Sequence, residues 1–268
     1  MRFIQKQSGE RFRLLRTLSE TRTSTVHLAE DTEFGLVAVK VLTPALVRAD
    51  DFRNAVLRTA DLDHPNIVPV HLARTDGEPF YLVMPYVDGP NLREILGHGP
   101  PELPWTARLI REVASALDFA HAAGIVHRDV KPGNILVDRV SGRALLCDFG
   151  IAAVGARTTE AIGTPGFVAP ELIPGRGRAP VDPRADVYSL GAVLYLCLTG
   201  RPPYEHTDVN ALLWAQGHDD PPPVTAVRPD LPKALDGVLA TALARRPRDR
   251  YPTCLALAEA VSAAGRGE

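Results

Sequence analysis

The sequence predicts an α+β chain folded as two unequal lobes: a small antiparallel sheet with one helix, then a larger, mainly helical body. Three observations predict it. Residues 10–85 fall into short β-branched and alternating runs broken by turns, the pattern of half-buried strands. Residues 91–263 carry long stretches with apolar side chains at helical spacing. Between them lies Pro85-Tyr86-Val87-Asp88-Gly89-Pro90-Asn91, a linker dense in turn residues, and a cleft belongs where such a linker joins two lobes. All 268 residues read as one domain, with the small lobe at about 10–85, the linker at about 85–90 and the large lobe at about 91–263.

In chain order, residues 11–18 and 25–30 alternate and read as strands. Residues 36–42 form an apolar, β-branched run with one lysine, so Lys40 sits on a strand and faces something specific. Pro44 ends that run. Residues 49–62 have helical spacing, with Phe52, Val56 and Leu62 near one side. His64-Pro65-Asn66 is a turn, and residues 67–72 and 80–84 are strands joined through Thr75-Asp76-Gly77-Glu78. Residues 105–123 read as a long helix with Ile110, Ala114, Leu117 and His121 on one face. Short strands are expected at 124–126, 135–137 and 144–147, and helices at 185–199, 209–216, 234–244 and 254–264. Pro221-Pro222-Pro223 is a rigid connector, and residues 266–268 read as a frayed end.

Composition excludes several classes of function. Apolar residues make up 45% and charged residues 23%, as in a globular protein with a sizeable core. A net charge of −2 gives no global field for nucleic acid or anionic membranes. The three cysteines, Cys147, Cys197 and Cys254, form no CxxC pair, which argues against a disulfide framework or a zinc site and fits a reducing, cytoplasmic setting. The first residues lack the apolar stretch of a signal peptide. The longest apolar run, residues 187–199, is shorter than the roughly 20 residues a bilayer needs and reads as a buried helix.

The chemistry concentrates in residues 127–171. His127-Arg128-Asp129-Val130-Lys131-Pro132-Gly133-Asn134 puts a carboxylate, a lysine and an amide on one loop. Phosphoryl transfer needs an oriented nucleophile and balanced charge around the transferred group. Asp129 is placed to accept a hydroxyl proton, Lys131 to face a phosphate and Asn134 to hold magnesium. Asp148-Phe149-Gly150 follows Asn134 by 14 residues at the end of an apolar strand. Magnesium takes oxygen ligands, commonly one or two carboxylates besides phosphate oxygens, and Asp148 with Asn134 supplies that share. Gly163-Thr164-Pro165-Gly166-Phe167-Val168-Ala169-Pro170-Glu171 is the third block.

With these blocks in order, the chain resembles the Hanks-type Ser/Thr protein kinases in their bacterial style, from about residue 12 to 260. The resemblance implies a bilobal kinase fold, ATP with Mg2+ (or Mn2+) as cofactor, and a protein substrate with a Ser or Thr acceptor. It makes Asp129 the catalytic aspartate, Lys131 the loop lysine and Lys40 of Val37-Ala38-Val39-Lys40 the lysine on the α- and β-phosphates. Asn134 and Asp148 become the metal ligands. Met84 falls at the gatekeeper position, the Pro85 carbonyl and Val87 N–H at the adenine edge, and Leu18, Val26, Ala38 and Leu136 around the ring. Glu171 is implied to pair with Arg250, and Asp186 to hold the catalytic loop backbone. Lys131, two residues after Asp129, and Thr164 point to Ser/Thr rather than Tyr acceptors. Thr158 and Thr159, with Thr164 a third candidate, are implied regulatory phosphosites whose phosphate would pair with Arg128. Similar bacterial kinases also pair through the small lobe, which makes a homodimer an open expectation. No nucleic acid partner and no membrane segment in this chain are expected.

The chain departs from the family pattern at four small-lobe positions. Ser19, Thr21 and Ser24 occupy the three glycine positions of the phosphate-covering loop. Glycine lets backbone N–H groups approach phosphates, whereas hydroxyl side chains donate to phosphate but stiffen the loop. Ala55 stands where the helix glutamate that pairs with the strand lysine is expected. Asp51, one helical turn earlier on the same face, is an open candidate to substitute if the helix shifts, with a shorter side chain. The leading reading is a Ser/Thr protein kinase, slow or conditionally active. The alternatives are a nucleotide-binding or scaffolding pseudokinase and, third, a small-molecule phosphotransferase.

Overall fold

In a computed structural model that describes residues 3–6, 9–43, 49–76, 78–149, 164–173 and 181–267, the chain begins with a six-stranded antiparallel sheet. Its strands are β1 (Phe3–Lys6), β2 (Gly9–Glu20), β3 (Ser24–Asp31), β4 (Gly35–Leu42), β5 (Leu72–Arg74) and β6 (Tyr81–Pro85), in the order β1-β2-β3-β4-β6-β5. Helix α1 (Ala49–Thr59) crosses between β4 and β5.

Strand alternation sorts this lobe into two faces. Val37 and Val39 of β4 pack with Phe12, Ala29, Tyr81 and Val83 in one cluster. Leu42 and Leu82 pack with Phe52 and Phe80 in another, on the α1 side. The in-between positions Ala38 and Lys40 turn to the opposite face from Val37 and Val39. Register carries that face across the sheet, pairing Val26 with Lys40 and Ala38 with Met84. The nucleotide-facing residues expected from the sequence therefore share one side of the sheet.

The linker is fixed by backbone contacts with the other lobe. The N–H groups of Val137 and Arg139 donate to Pro90 and Asp88 carbonyls at 2.9 and 2.8 Å. A Cβ at Gly89 would lie 1.9 Å from the Val137 carbonyl oxygen, so only glycine lets the linker run this close to β7 (Ile135–Val137). A second tether is the 64–68 segment. Asn66 Nδ2 donates to the Ala144 carbonyl at 2.7 Å, and Val68 N–H donates to Leu146 at 3.0 Å, docking the segment on β8 (Ala144–Leu146).

The second lobe is helical, with β7 and β8 as its small hairpin. Its helices are α2 (Leu92–Leu96), α3 (Leu103–Ala122), α4 (Arg184–Thr199), α5 (Val209–His218), α6 (Val224–Val227), α7 (Ala234–Ala242) and α8 (Cys254–Arg266). Helix α4 is buried on all sides from Ala185 to Tyr195. That is what an apolar run without a polar face demands. Gly200, at φ 77°, ends it in the left-handed conformation. α3 packs against α4 and α8, and its Leu109, Ile110, Val113 and Leu117 anchor the core.

Several sequence expectations need correction. Residues 67–72 do not form a strand. Pro69 lacks a ladder donor, and β5 starts only at Leu72 while Ile67 makes an isolated bridge to Leu146. Residues 124–126 form the exit turn of α3, with Gly124 at φ 74° and its N–H on the His121 carbonyl. α1 stops at Thr59, three residues early. β1, α2 and α6 were not expected, and α8 continues to Arg266 before Gly267 caps it.

Candidate active site

A cleft of about 750 Å³ opens between the sheet and the helical lobe. Leu18, Val26, Ala38, Met84, Pro85, Val87 and Leu136 line it, as do Lys40, Asp129, Lys131, Asn134, Asp148 and Thr164. The residues singled out from the two lobes thus meet in one cavity. Ser19, Thr21 and Ser24 also border it.

The loop after α3 is held open by buried polar anchors. Asp186, fully buried on α4, accepts the N–H of His127 and of Arg128, both at 2.8 Å. Arg128 sits at φ 67°, a conformation that non-glycine residues rarely adopt, and the paired carboxylate contacts hold it there. His127 is fully buried, bonds Cys147 O through Nε2 at 2.9 Å and accepts from Asp129 N–H at 3.2 Å. Its ring meets Phe149 edge-on at 4.7 Å. His121 Nε2 lies 2.8 Å from the same Asp186 carboxylate. Burial alone would lower the His121 pKa, but Asp118 and Asp186 outweigh it and push it up to about 9.

These anchors present Asp129 to the cleft. Thr164 Oγ1 donates to one of its oxygens at 2.7 Å, and Lys131 Nζ pairs with the other at 2.6 Å. Lys131 also donates to Thr164 Oγ1 at 2.9 Å, closing a three-membered ring. Asn134 Nδ2 donates to the Asp129 backbone carbonyl at 2.9 Å and to its carboxylate at 3.2 Å. Thr164, named as a phosphosite candidate, uses its hydroxyl inside the cleft. Thr158 and Thr159 lie outside the described residues.

A largely buried ion pair joins the two lobes across the cleft. Lys40 Nζ lies 2.8 Å from Asp148 Oδ2. Burial disfavours charge on both groups, yet each stabilises the other, so the Lys40 pKa is raised and that of Asp148 lowered. Asp148, like Arg128, has positive φ, at 69°. The Cys147 thiol beside it is pushed well up by burial and then by Asp148, which makes it a packing group rather than a nucleophile.

The expected replacement of the helix glutamate does not form. Asp51 is exposed in the first turn of α1, and the carboxylate beside Lys40 is Asp148. Ala55 packs toward the Leu42, Phe52, Phe80 and Leu82 cluster. The hydroxyl-rich tip between β2 and β3 closes on itself. Thr21 Oγ1 donates to the Ser24 carbonyl at 3.0 Å and accepts the Ser24 N–H at 3.1 Å.

Outside the cleft, Arg250 is a hub. Its fully buried side chain makes a bidentate pair with Glu171, both bonds 2.7 Å, and donates to the carbonyls of Ala244, Arg184 and Arg245. One residue escaped the sequence reading. Buried Gln216 on α5 accepts from Gly166 N–H at 3.2 Å and donates to the Val168 carbonyl at 3.1 Å, fixing the segment after Thr164. A lone glutamine on an otherwise apolar helix was the available signal. Arg16, Arg93 and Arg139, also unforeseen, line the cleft together with Arg22.

A family model described as protein kinase domain matches residues 12–260. The chain is 39% identical over 268 residues to the serine/threonine-protein kinase PknJ of Mycobacterium tuberculosis, covering 94% of this chain and 45% of that protein. It is 40% identical over 252 residues to the serine/threonine-protein kinase PknD of the same species, covering 90% and 37%. The chain therefore spans less than half the length of these relatives. The crystal structure of the M. tuberculosis PknI kinase domain aligns with a TM-score of 0.76 at 33% identity, over 94% of this chain and 96% of that one. A family match that runs from the sheet to the last helix, with relatives at this identity, shows that the chain belongs to the protein kinase family.

Proposed function

We propose that this chain is a Ser/Thr protein kinase domain that transfers the γ-phosphoryl group of ATP to a protein hydroxyl. Kinases of this family use ATP with a divalent cation, which bridges phosphate oxygens and offsets their charge. The observation that carries the reading is the ring of Asp129, Lys131 and Thr164, facing the Lys40–Asp148 pair across one cleft. The named relatives are kinases, and nothing in them favours the scaffolding alternative.

Each role follows from chemistry. Asp129 receives the acceptor hydroxyl proton, because Lys131 and Thr164 hold its carboxylate in one orientation. Lys131 then faces the transferred group, and Lys40 the inner phosphates. The donors present fit a hard cation. Asn134 gives its Nδ2 to Asp129, which leaves Oδ1 as the amide's acceptor atom, and Asp148 is kept ionised by Lys40. Leu18, Val26, Ala38, Met84 and Leu136 form the apolar slot for a base, with the Pro85 carbonyl and Val87 N–H at its edge. Proline suits the first of these, since it keeps the carbonyl and lacks the donor.

Regulation belongs to the same reading. Arg128 Nε is buried without a hydrogen-bond partner among the described residues, and burial and then Arg58 lower the Arg128 pKa against the pull of Asp186. A phosphate on Thr158 or Thr159 supplies the missing anion. Residues 1–268 act as one catalytic unit, with no helix among the described residues long and apolar enough to cross a membrane. The deciding experiment incubates the chain with ATP and Mg2+ and compares it with Asp129→Asn. Phosphate incorporation by the wild type alone supports the proposal. Equal incorporation in both, or none in either while ATP still binds, overturns it.

A further inference from the structure

Asp118, His121 and Cys254 meet at the contact between α3 and α8, and none of them lines the cleft. Asp118 and His121 are three residues apart on α3 and share a face. Cys254 opens α8, and Asp118 holds it in place by accepting the N–H groups of Cys254 and Leu255, both at 2.9 Å. A carboxylate oxygen, a ring nitrogen and a sulfur, one from each residue, all lie within 4.8 Å of one another.

We propose that this cluster is a zinc-binding site, distinct from the cation position at Asn134 and Asp148. Three observations support it. First, thiolate, imidazole and carboxylate together are the donor mix zinc takes, whereas magnesium takes oxygen. Second, the second shell is in place. His121 Nε2 lies 2.8 Å from Asp186 Oδ2, and Nδ1 pairs with Asp118 Oδ1 at 3.6 Å. A histidine that gives one ring nitrogen to a metal and donates from the other to a carboxylate is the usual arrangement at zinc. Third, the cluster is largely closed to solvent, as at a structural zinc site: Cys254 is fully buried, and the Asp118 and His121 side chains keep 17% and 10% of their exposure.

Burial and then Asp186 and Asp118 hold the Cys254 thiol well above its usual range, so the ion must displace that proton and the one on His121 Nδ1, and no oxidant or reductant is needed. The effect would reach the catalytic loop, because the Asp186 oxygen that faces His121 also accepts His127 N–H. Zinc would tie α3, α8 and that loop into one rigid unit.

Cobalt(II) is the probe. Chelator-treated protein is titrated with Co2+ in excess Mg2+, and thiolate-to-cobalt absorption is followed. The expected result is one equivalent of sulfur-ligated cobalt, displaced by Zn2+, lost in Cys254→Ser and kept in Cys147→Ser. Zn2+ should also raise the melting temperature of the wild type and not of Cys254→Ser. No thiolate band in the folded wild type overturns the proposal, as does a band that depends on Cys147 instead. If Cys254→Ser fails to fold, X-ray absorption of the zinc-loaded wild type decides. A shell with one sulfur supports the site, and a shell of oxygen and nitrogen alone overturns it.

Discussion

The two lobes meet at one cleft but hold their functional side chains in different ways. In the large lobe the Asp129 loop is fixed by several side chains at once. Asp129 is bound by Thr164, Lys131 and Asn134, and its loop hangs from Asp186. In the small lobe, Lys40 leans across the cleft on Asp148, and the loop tip above it is closed by its own hydroxyls. The large lobe is thus organised before any ligand arrives. In the small lobe, the partner of Lys40 belongs to the other wall, so its geometry depends on how the lobes sit together. A chain built this way keeps its acceptor chemistry preorganised and leaves the nucleotide side adjustable.

The contrast is broken most severely from the large-lobe side. Asp186→Ala removes the acceptor of two buried backbone N–H groups and of His121. Bonds to a charged group are worth roughly 1.5–3 kcal/mol each, so the loss should exceed about 4 kcal/mol in urea denaturation, with activity abolished. Glu171→Ala comes next. It leaves the fully buried Arg250 guanidinium with carbonyl acceptors and no counter-charge, and should cost about 3 kcal/mol, the low end for breaking a buried pair. A loss below about 1 kcal/mol would show that the three carbonyls suffice.

The fold class and the candidate site residues that meet in the cleft were legible because they depend on local pattern and motif spacing. The β-branched run of residues 36–42 marked a strand carrying Lys40, and the run 187–199 announced a buried helix. What stayed hidden depends on long-range partners. Nothing in the spacing said that Lys40 would meet Asp148 rather than Asp51, since Asp51 is 11 positions from Lys40 along the chain and Asp148 is 108. Gln216 and Asp118 matter through residues 48 to 137 positions away, a separation that periodicity cannot resolve. Short elements such as α2 and α6 carry too few residues for a period to show, and Pro69 hid the point at which β5 begins.

The small lobe should respond more mildly. Thr21→Val keeps the shape of the side chain and removes the hydroxyl that bonds Ser24 twice. About 1 kcal/mol of net hydrogen bonding is lost, equivalent to about fivefold in an equilibrium constant. The expected outcome is a KM for ATP raised by about that factor with kcat nearly unchanged, because in the proposed function the tip covers the phosphates and takes no part in the acceptor's proton transfer. A fall in kcat at unchanged KM would mean that the tip positions the transferred group instead.

Asp51→Ala should do least, and it tests the comparison at its sharpest point. By sequence distance Asp51 is the natural substitute for the missing helix glutamate, and on that ground its loss should slow the reaction. In the fold it is exposed in the first turn of α1, where a carboxylate favours the helix dipole by roughly 0.3–1 kcal/mol. Lys40 already has a carboxylate at 2.8 Å in Asp148. The substitution should therefore lower stability by no more than about 1 kcal/mol and leave kcat/KM within about twofold, the range of a surface change. A fall of tenfold or more would mean that α1 moves in during turnover and brings Asp51 to Lys40. The small lobe would then be organised by substrate, and the Lys40–Asp148 pair would be its resting arrangement.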